Sequence, residues 1–196
     1  AQVMARAIIL SGSYMLYDRH LVAPDPKEFE KIRYETPNIS GRMDHLRASI
    51  LRPQLRRLSA QSDTWNVRYR TVENGLKDTP GLQIIRRPAE EAYVGSSIQF
   101  LLLDWNKKAV QSVVARCAER GVELKWFGDE EPVGFTSRYD SWAYAPSSAM
   151  PKSDRILAGL LDMRIPLTFS MEDCALIAHI IRTEVSAVYQ SMPEFV

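Results

Sequence analysis

The stretch SIQFLLLDWNKKAVQSVVARCAERGVELKW, residues 97–126, changes its hydrophobic period twice. Ser97 to Leu103 is a mostly apolar run of strand length. Asn106 then stands where a helix N-cap belongs, because a short polar side chain can accept from an otherwise unpaired N–H of the first turn. Behind it Val110, Val113, Val114 and Cys117 recur at helical spacing. Gly121 stops that helix, and Val122-Glu123-Leu124-Lys125-Trp126 follows as a second strand. The result is a strand–helix–strand unit with its start and stop signals in place.

On the N-terminal side, Leu82-Gln83-Ile84-Ile85 predicts another short strand, preceded by the helix stop Asp78-Thr79-Pro80-Gly81. Arg42 to Lys77 has a helical pattern. Met43, Leu46 and Ile50 form one stripe, continued by Leu51, Leu55 and Leu58; Trp65, Tyr69, Val72 and Leu76 form another. Pro53 removes a backbone donor, which predicts a kink between Ser49 and Pro53, with a second bend or a restart near Ser62-Asp63. Tyr14 to Pro37 contains Pro24, Pro26 and Pro37 and reads as irregular chain, either a connector or a functional segment. Gln2 to Leu10 reads as the tail of a helix, halted at Ser11-Gly12-Ser13.

On the C-terminal side, Gly128 to Met150 is loop-like and aromatic. Ser153 to Met163 reads as a short helix with Ile156, Leu157, Leu160 and Leu161 inward, and Arg164 to Leu167 as an extended link. Ser170 and Asp173 then make a capping box for a last helix. Its apolar face is Cys174, Ile177, Ala178, Ile181, Val185 and Val188. The fold class is α+β: a long helix followed by a small sheet covered by helices.

The 196 residues suit one generous domain, or a large one with a smaller companion. With 45% hydrophobic and 25% charged residues and a formal charge of +1, the chain is neither disordered nor a general polyanion binder. Cys117 and Cys174 lack the spacing of a zinc site and fall on apolar helix faces, so they read as buried free thiols in a reducing cytoplasm. No apolar run approaches the ~20 residues of a membrane span, and no basic segment leads into an apolar one as in a secretory leader. The chain starts at Ala1 directly in a helical segment, as the interior of a longer protein would.

Few motifs of chemistry are present. His20, His45 and His179 have no mutual metal-site spacing, and no metal is expected. Nucleophile-elbow, phosphate-loop and dinucleotide fingerprints are all missing from the sequence. Arg42, Arg47, Arg52, Arg56, Arg57, Arg68 and Arg70 stand against Asp44 and Asp63, a local excess of five positive charges. Nucleic acid is one target for such a helix, but a solvated or internally paired face explains it better in a nearly neutral chain. A small-molecule phosphate fits more readily, at Thr36-Pro37-Asn38-Ile39-Ser40-Gly41 ahead of the helix. Trp126, Phe127, Phe135, Tyr139, Trp142 and Tyr144 make the following loop either a binding wall or a plug over the sheet.

The order of the segments resembles the C-terminal half of the DegT/DnrJ/StrS family of pyridoxal-phosphate-dependent, sugar-nucleotide aminotransferases. Asn38-Ile39-Ser40-Gly41-Arg42-Met43 with the helix after it is similar to the family's Asn-x-Arg-Met segment, and Gln54-Leu55-Arg56-Arg57-Leu58 to its Gln-Leu-x-x-Leu. Pro80-Gly81-Leu82, Ala118-Glu119-Arg120-Gly121-Val122, Met150 to Arg155, Ile165-Pro166-Leu167 and Ser170-Met171-Glu172-Asp173 follow in family order. The resemblance implies part of a fold-type-I transferase: 1–40 as a remnant of the large cofactor domain and connector, 41–78 as the connecting helix, and 79–196 as the small domain.

That resemblance implies pyridoxal 5'-phosphate as cofactor, bound as a Schiff base on a lysine upstream of this chain, so the chain by itself would carry no catalytic residue. It implies a homodimer, glutamate or glutamine as amino donor, and a keto-sugar or related ketone as acceptor, with no nucleic acid or membrane partner. Asn38 is the counterpart of the asparagine that reaches the phosphate in the neighbouring subunit. Its spacing from Arg42 is two residues longer than the motif's, which leaves Ser40 as the alternative and Arg42 beside them. Lys125-Trp126-Phe127-Gly128 replaces the family's His-Tyr-Pro-like turn, making Lys125, Trp126, Phe127 and Arg138 candidates for substrate recognition, with loop packing as their other role. A non-catalytic binding or assembly domain derived from the same fold is the alternative function. Bare apolar surface is expected along the long helix and from Ile8 to Leu16.

Overall fold

The computed structural model describes residues 1–11, 21–37, 44–130, 139–141, 143–144, 146 and 148–192, and of Lys31 the backbone alone. The chain divides into two units, Ala1–Leu55 with Glu131–Ala149 and Arg56–Glu130 with Met150–Val196.

In the first unit, α1 (Gln2–Leu10) packs on α2 (Lys27–Glu35). Ala5, Ile8 and Ile9 meet Phe29 and Ile32 in a small core. Ile8 and Ile9 are therefore covered, not part of the bare surface the sequence predicted there. α2 also replaces expected irregular chain. Pro26 lies just ahead of its first residue, where a fixed φ is compatible with a helix start. Asp25 Oδ1 accepts from the Lys27 N–H at 2.9 Å, and Glu28 and Glu30 suit the positive end of the helix. α3 (His45–Leu55) starts at Asp44, whose Oδ1 accepts from the Arg47 N–H at 2.8 Å. No residue of α3 is buried.

The second unit holds the larger core. α4 (Leu58–Leu76) begins after the turn at Arg56-Arg57, so the helix restarts there and not at Ser62-Asp63, while Pro53 lies within α3. Tyr69, Val72 and Leu76 of α4 are buried. Three further helices follow: α5 (Lys107–Glu119), α6 (Pro151–Gly159) and α7 (Met171–Ser191). Asn106 caps α5 by accepting from Ala109 N–H at 2.9 Å, and Ser170 with Asp173 forms the capping box of α7. α7 packs on both α4 and α5.

The sheet comprises β1 (Gln83–Ile84), β2 (Ser97–Leu101), β3 (Lys125–Trp126) and β4 (Leu160–Arg164), in the order β1-β2-β4-β3. All neighbouring pairs are antiparallel. β2 and β3 are thus parallel with β4 between them, and the strand–helix–strand unit spans a gap that a later strand fills.

β4 corrects the sequence reading, which put Leu160 to Met163 on a helix. Leu161, Met163 and Ile165 alternate into the core, and Leu161 and Met163 stand opposite Phe100 and Ile98. The helix gives way at Gly159, which is pressed against β2's end: the Leu102 N–H donates to the Gly159 carbonyl at 2.9 Å. A Cβ on Gly159 would lie 2.4 Å from the Leu102 carbonyl oxygen.

Candidate functional site

The sheet's two faces differ in chemistry. Ile98, Phe100, Leu161, Met163 and Trp126 belong to the core shared with α4, α5 and α7. Side chains alternate along a strand, so their neighbours take the other face. There the register places Gln99 opposite Asp162 and Asp162 opposite Lys125, a polar row across three strands. Ser97 stands opposite Arg164 one step along. Asp162 is 7% exposed, and among the described residues its carboxylate makes no hydrogen bond or ion pair. An acceptor flanked by an amide and a cation is chemistry that recognises hydroxyl or amino groups.

Lys125 also lines a cavity of about 270 Å³ at the end of the sheet, with Glu123 and Arg164 as its other charged groups. Its apolar part comes from Val122, Met163, Pro166, Phe169 and Ile177. Trp126 faces the core, where its indole N–H donates to the Ala158 carbonyl at 2.9 Å. Gly128 permits that arrangement, since a Cβ there would come within 2.7 Å of the indole nitrogen. Phe127 is half-buried and extends the ladder through its N–H to the Leu160 carbonyl at 3.1 Å. The structure therefore brings together Lys125 with Asp162, Gln99 and Arg164, and separates Trp126 from them. Asn38, Ser40, Arg42 and Arg138 lie outside the described residues, as does His20. Asp162 and Arg164 were missed because their segment read as helix and link; its two-residue alternation was the available signal.

Pyridoxal phosphate needs a lysine amine, a carboxylate for the ring nitrogen and a cradle for its phosphate. The described residues do not make that set. At the Lys125 cavity, the N-terminus of α7 is already closed by its own Asp173, whose carboxylate accepts from the Ser170 N–H at 2.8 Å. That hydrogen bond holds the Asp173 carboxyl below its ordinary range. Among the described residues no cluster of His, Cys, Asp and Glu could hold a metal ion, and no helix is long and apolar enough to cross a membrane.

Other polar groups are structural. Glu184 of α7 is buried and receives Arg116 at 2.6 Å and Arg120 at 2.8 Å from α5. The two guanidiniums, Arg120 foremost, hold its carboxyl below the usual range. Cys117 and Cys174 are free and buried, and burial pushes the Cys117 thiol up to about 12. His45 and His179 are both exposed. Of the basic stretch, Arg47 pairs with Asp44 at 3.4 Å and Arg68 donates to the Phe169 carbonyl at 2.7 Å.

A family model of the DegT/DnrJ/EryC1/StrS aminotransferases matches residues 15–182, most of both units. The chain belongs to this aminotransferase family. Solved structures agree on the fold. The aminotransferase TlmJ from Streptoalloteichus hindustanus superposes with a TM-score of 0.62 at 18% identity, covering 81% of this chain and 42% of that one. DesV from S. venezuelae gives 0.58 at 17%, covering 84% and 46%. A 3-amino-5-hydroxybenzoic acid synthase gives 0.58 at 19%, covering 71% and 38%. The chain thus covers 38–46% of the length of these aminotransferases, and carries part of a fold-type-I architecture. No curated protein shows significant sequence similarity to it.

Proposed function

We propose that the chain is the C-terminal portion of a cytoplasmic, homodimeric, pyridoxal-phosphate-dependent aminotransferase that moves an amino group from glutamate or glutamine to a keto-sugar or related ketone. The observation that carries this reading is the family match over residues 15–182, together with a small antiparallel sheet backed by α4, α5 and α7. When bound, the cofactor supplies an electron sink for amino transfer.

In this reading the chain's own residues position the substrates. Asn38, with Ser40 and Arg42 beside it, reaches toward the cofactor phosphate of the neighbouring subunit. Lys125 and Arg138 contact the acceptor, Asp162 and Gln99 meet its hydroxyl groups, and Phe127 shapes the wall. Trp126 contributes by fixing the strand that carries Lys125, through its core packing and its bond to Ala158.

The test is an amino-transfer assay on the protein purified from its source, with cofactor, glutamate or glutamine, and a set of keto-sugar nucleotides and simpler ketones. Release of the donor's keto acid that depends on acceptor supports the proposal. Asp162→Asn then raises the acceptor's KM several-fold and leaves the donor half-reaction unchanged. No transfer with any acceptor contradicts the proposal and favours the non-catalytic binding domain.

A further inference from the structure

β4 lies between β2 and β3, and its backbone groups turn alternately to one neighbour and the other, as an antiparallel ladder requires. The Leu102 N–H donates to the Gly159 carbonyl and the Ile165 N–H to the Ser96 carbonyl, both at 2.9 Å, so the odd-numbered positions bond toward β2. The Phe127 N–H donates to the Leu160 carbonyl at 3.1 Å, so the even-numbered positions bond toward β3. Asp162 obeys this rule opposite Lys125. Arg164 comes next, and the same register sets Glu123 across from it, but the pairing of β3 with β4 stops at Lys125. Among the described residues the N–H and carbonyl of Arg164 on that side have no partner.

The end of α5 explains the missing rung. Gly121 takes a φ of 81°, and the Val122 N–H turns back to the Cys117 carbonyl at 2.9 Å. That closure, with the Val122 side chain buried, holds the chain entering β3 to α5 and keeps it from pairing with Arg164.

The gap opens on the cavity of about 270 Å³ that Lys125 borders, whose apolar part the amino-transfer reading leaves unused. Val122, Met163, Pro166, Phe169 and Ile177 supply that part, and Glu123 offsets one of the two cations on the rim. Small-molecule sites run to about 300–1,000 Å³, so this volume suits one large side chain better than a whole ligand. A free donor and acceptor on one strand residue, beside a side-chain pocket, are the two elements of strand addition. The main-chain pair gives affinity and the pocket gives specificity. An extended peptide uses both together.

We propose that this notch binds an extended peptide segment of another protein, which pairs with Arg164 as the missing rung and places one large apolar side chain in the cavity. The site is independent of the aminotransferase reading and stands or falls without it.

The test is fluorescence anisotropy of labelled pentapeptides titrated with the full chain, each with four threonines around a central leucine, methionine, phenylalanine or tryptophan. Saturable binding of at least one is expected. Methylating the backbone nitrogen of its central residue weakens binding about tenfold, the loss of one hydrogen bond. Hydrogen exchange at the Arg164 amide slows in the complex. Ile177→Trp fills the cavity and weakens binding at least tenfold, whereas Leu176→Trp, at the exposed neighbouring position, leaves it unchanged. Thermal melts show that both variants fold, and the methylated peptide and the exchange measurement need neither. Four results overturn the proposal: no binding by any of the four peptides, equal binding of the methylated peptide, unchanged exchange at Arg164, or benzoate binding as tightly as the peptides, which makes the cavity a small-molecule site.

Discussion

Glu184 shows at the scale of one residue how charge ties two helices together. It lies on the buried side of α7, and both of its carboxylate oxygens are taken by arginines of α5 or its C-cap. Removing the carboxylate leaves two partly desolvated guanidiniums without a partner, so Glu184→Gln lowers stability by about 2 kcal/mol in a urea melt at pH 7. The sign of the pH dependence follows from the lowered carboxyl. Its contribution is complete above the ordinary carboxylate pKa of about 4.3 and is lost as pH falls through the depressed folded-state value. Between pH 5 and acid unfolding, the gap between parent and Glu184→Gln therefore closes.

Cys117 gives a second residue-scale expectation. With its thiol near 12, almost no thiolate forms at pH 8, so iodoacetamide modifies the folded protein slowly at this position. Mass spectrometry after denaturation in guanidinium should find both cysteines alkylated within minutes. Rapid native labelling of Cys117 would mean that the α5–α7 interface opens.

At the scale of elements, α5 and α7 were legible because local and tertiary signals coincide. Each has a short polar cap, and each places its apolar residues on one stripe that the core covers. β4 was not legible for the opposite reason. Ile156, Leu157, Leu160 and Leu161 match helical spacing as well as Leu161, Met163 and Ile165 match strand spacing. The choice is made by Gly159, which fits against the Leu102 backbone where no side chain would. Gly159→Ala must push α6 away from β2, and a loss of about 2 kcal/mol or more in the urea midpoint analysis is expected. α2 was hidden by Pro26, read as a breaker although it stands at a helix start. Of the polar row in the candidate site, the sequence named Lys125 as a candidate but not Asp162 or Gln99, since only the β2-β4-β3 register puts them in its row.

α3 presents the other element-scale case. Its apolar stripe was plain in the sequence and was expected to leave bare surface along this helix, as it does: Leu46 is 71% exposed and Leu55 67%. Burial depends on a partner surface, which sequence periodicity does not supply. Leu46→Ser with Leu55→Ser should therefore leave the urea midpoint unchanged and reduce concentration-dependent association seen by light scattering. Ile181→Ala, in the filled core, should cost about 2–4 kcal/mol by comparison.

For the molecule as a whole, family and fold agree, and the matches cover 38–46% of the aminotransferases it superposes on. In the proposed reading, a small sheet with one helix-covered face and one polar face is half of an active-site arrangement. In that reading the polar face acts only against a cofactor held elsewhere, and the contacts proposed for Asn38 and Ser40 concern a neighbouring subunit. A site divided in that way would leave this chain without a catalytic motif of its own, and the order of its segments is the informative feature of the sequence. The measurement that tests the account most directly is borohydride reduction of the native protein with pyridoxal phosphate, followed by intact-mass and peptide analysis. The account predicts one reduced cofactor per subunit, attached to a lysine in a peptide outside residues 1–196. An adduct on Lys125 or another lysine of this chain, or no specific adduct at all, would contradict it.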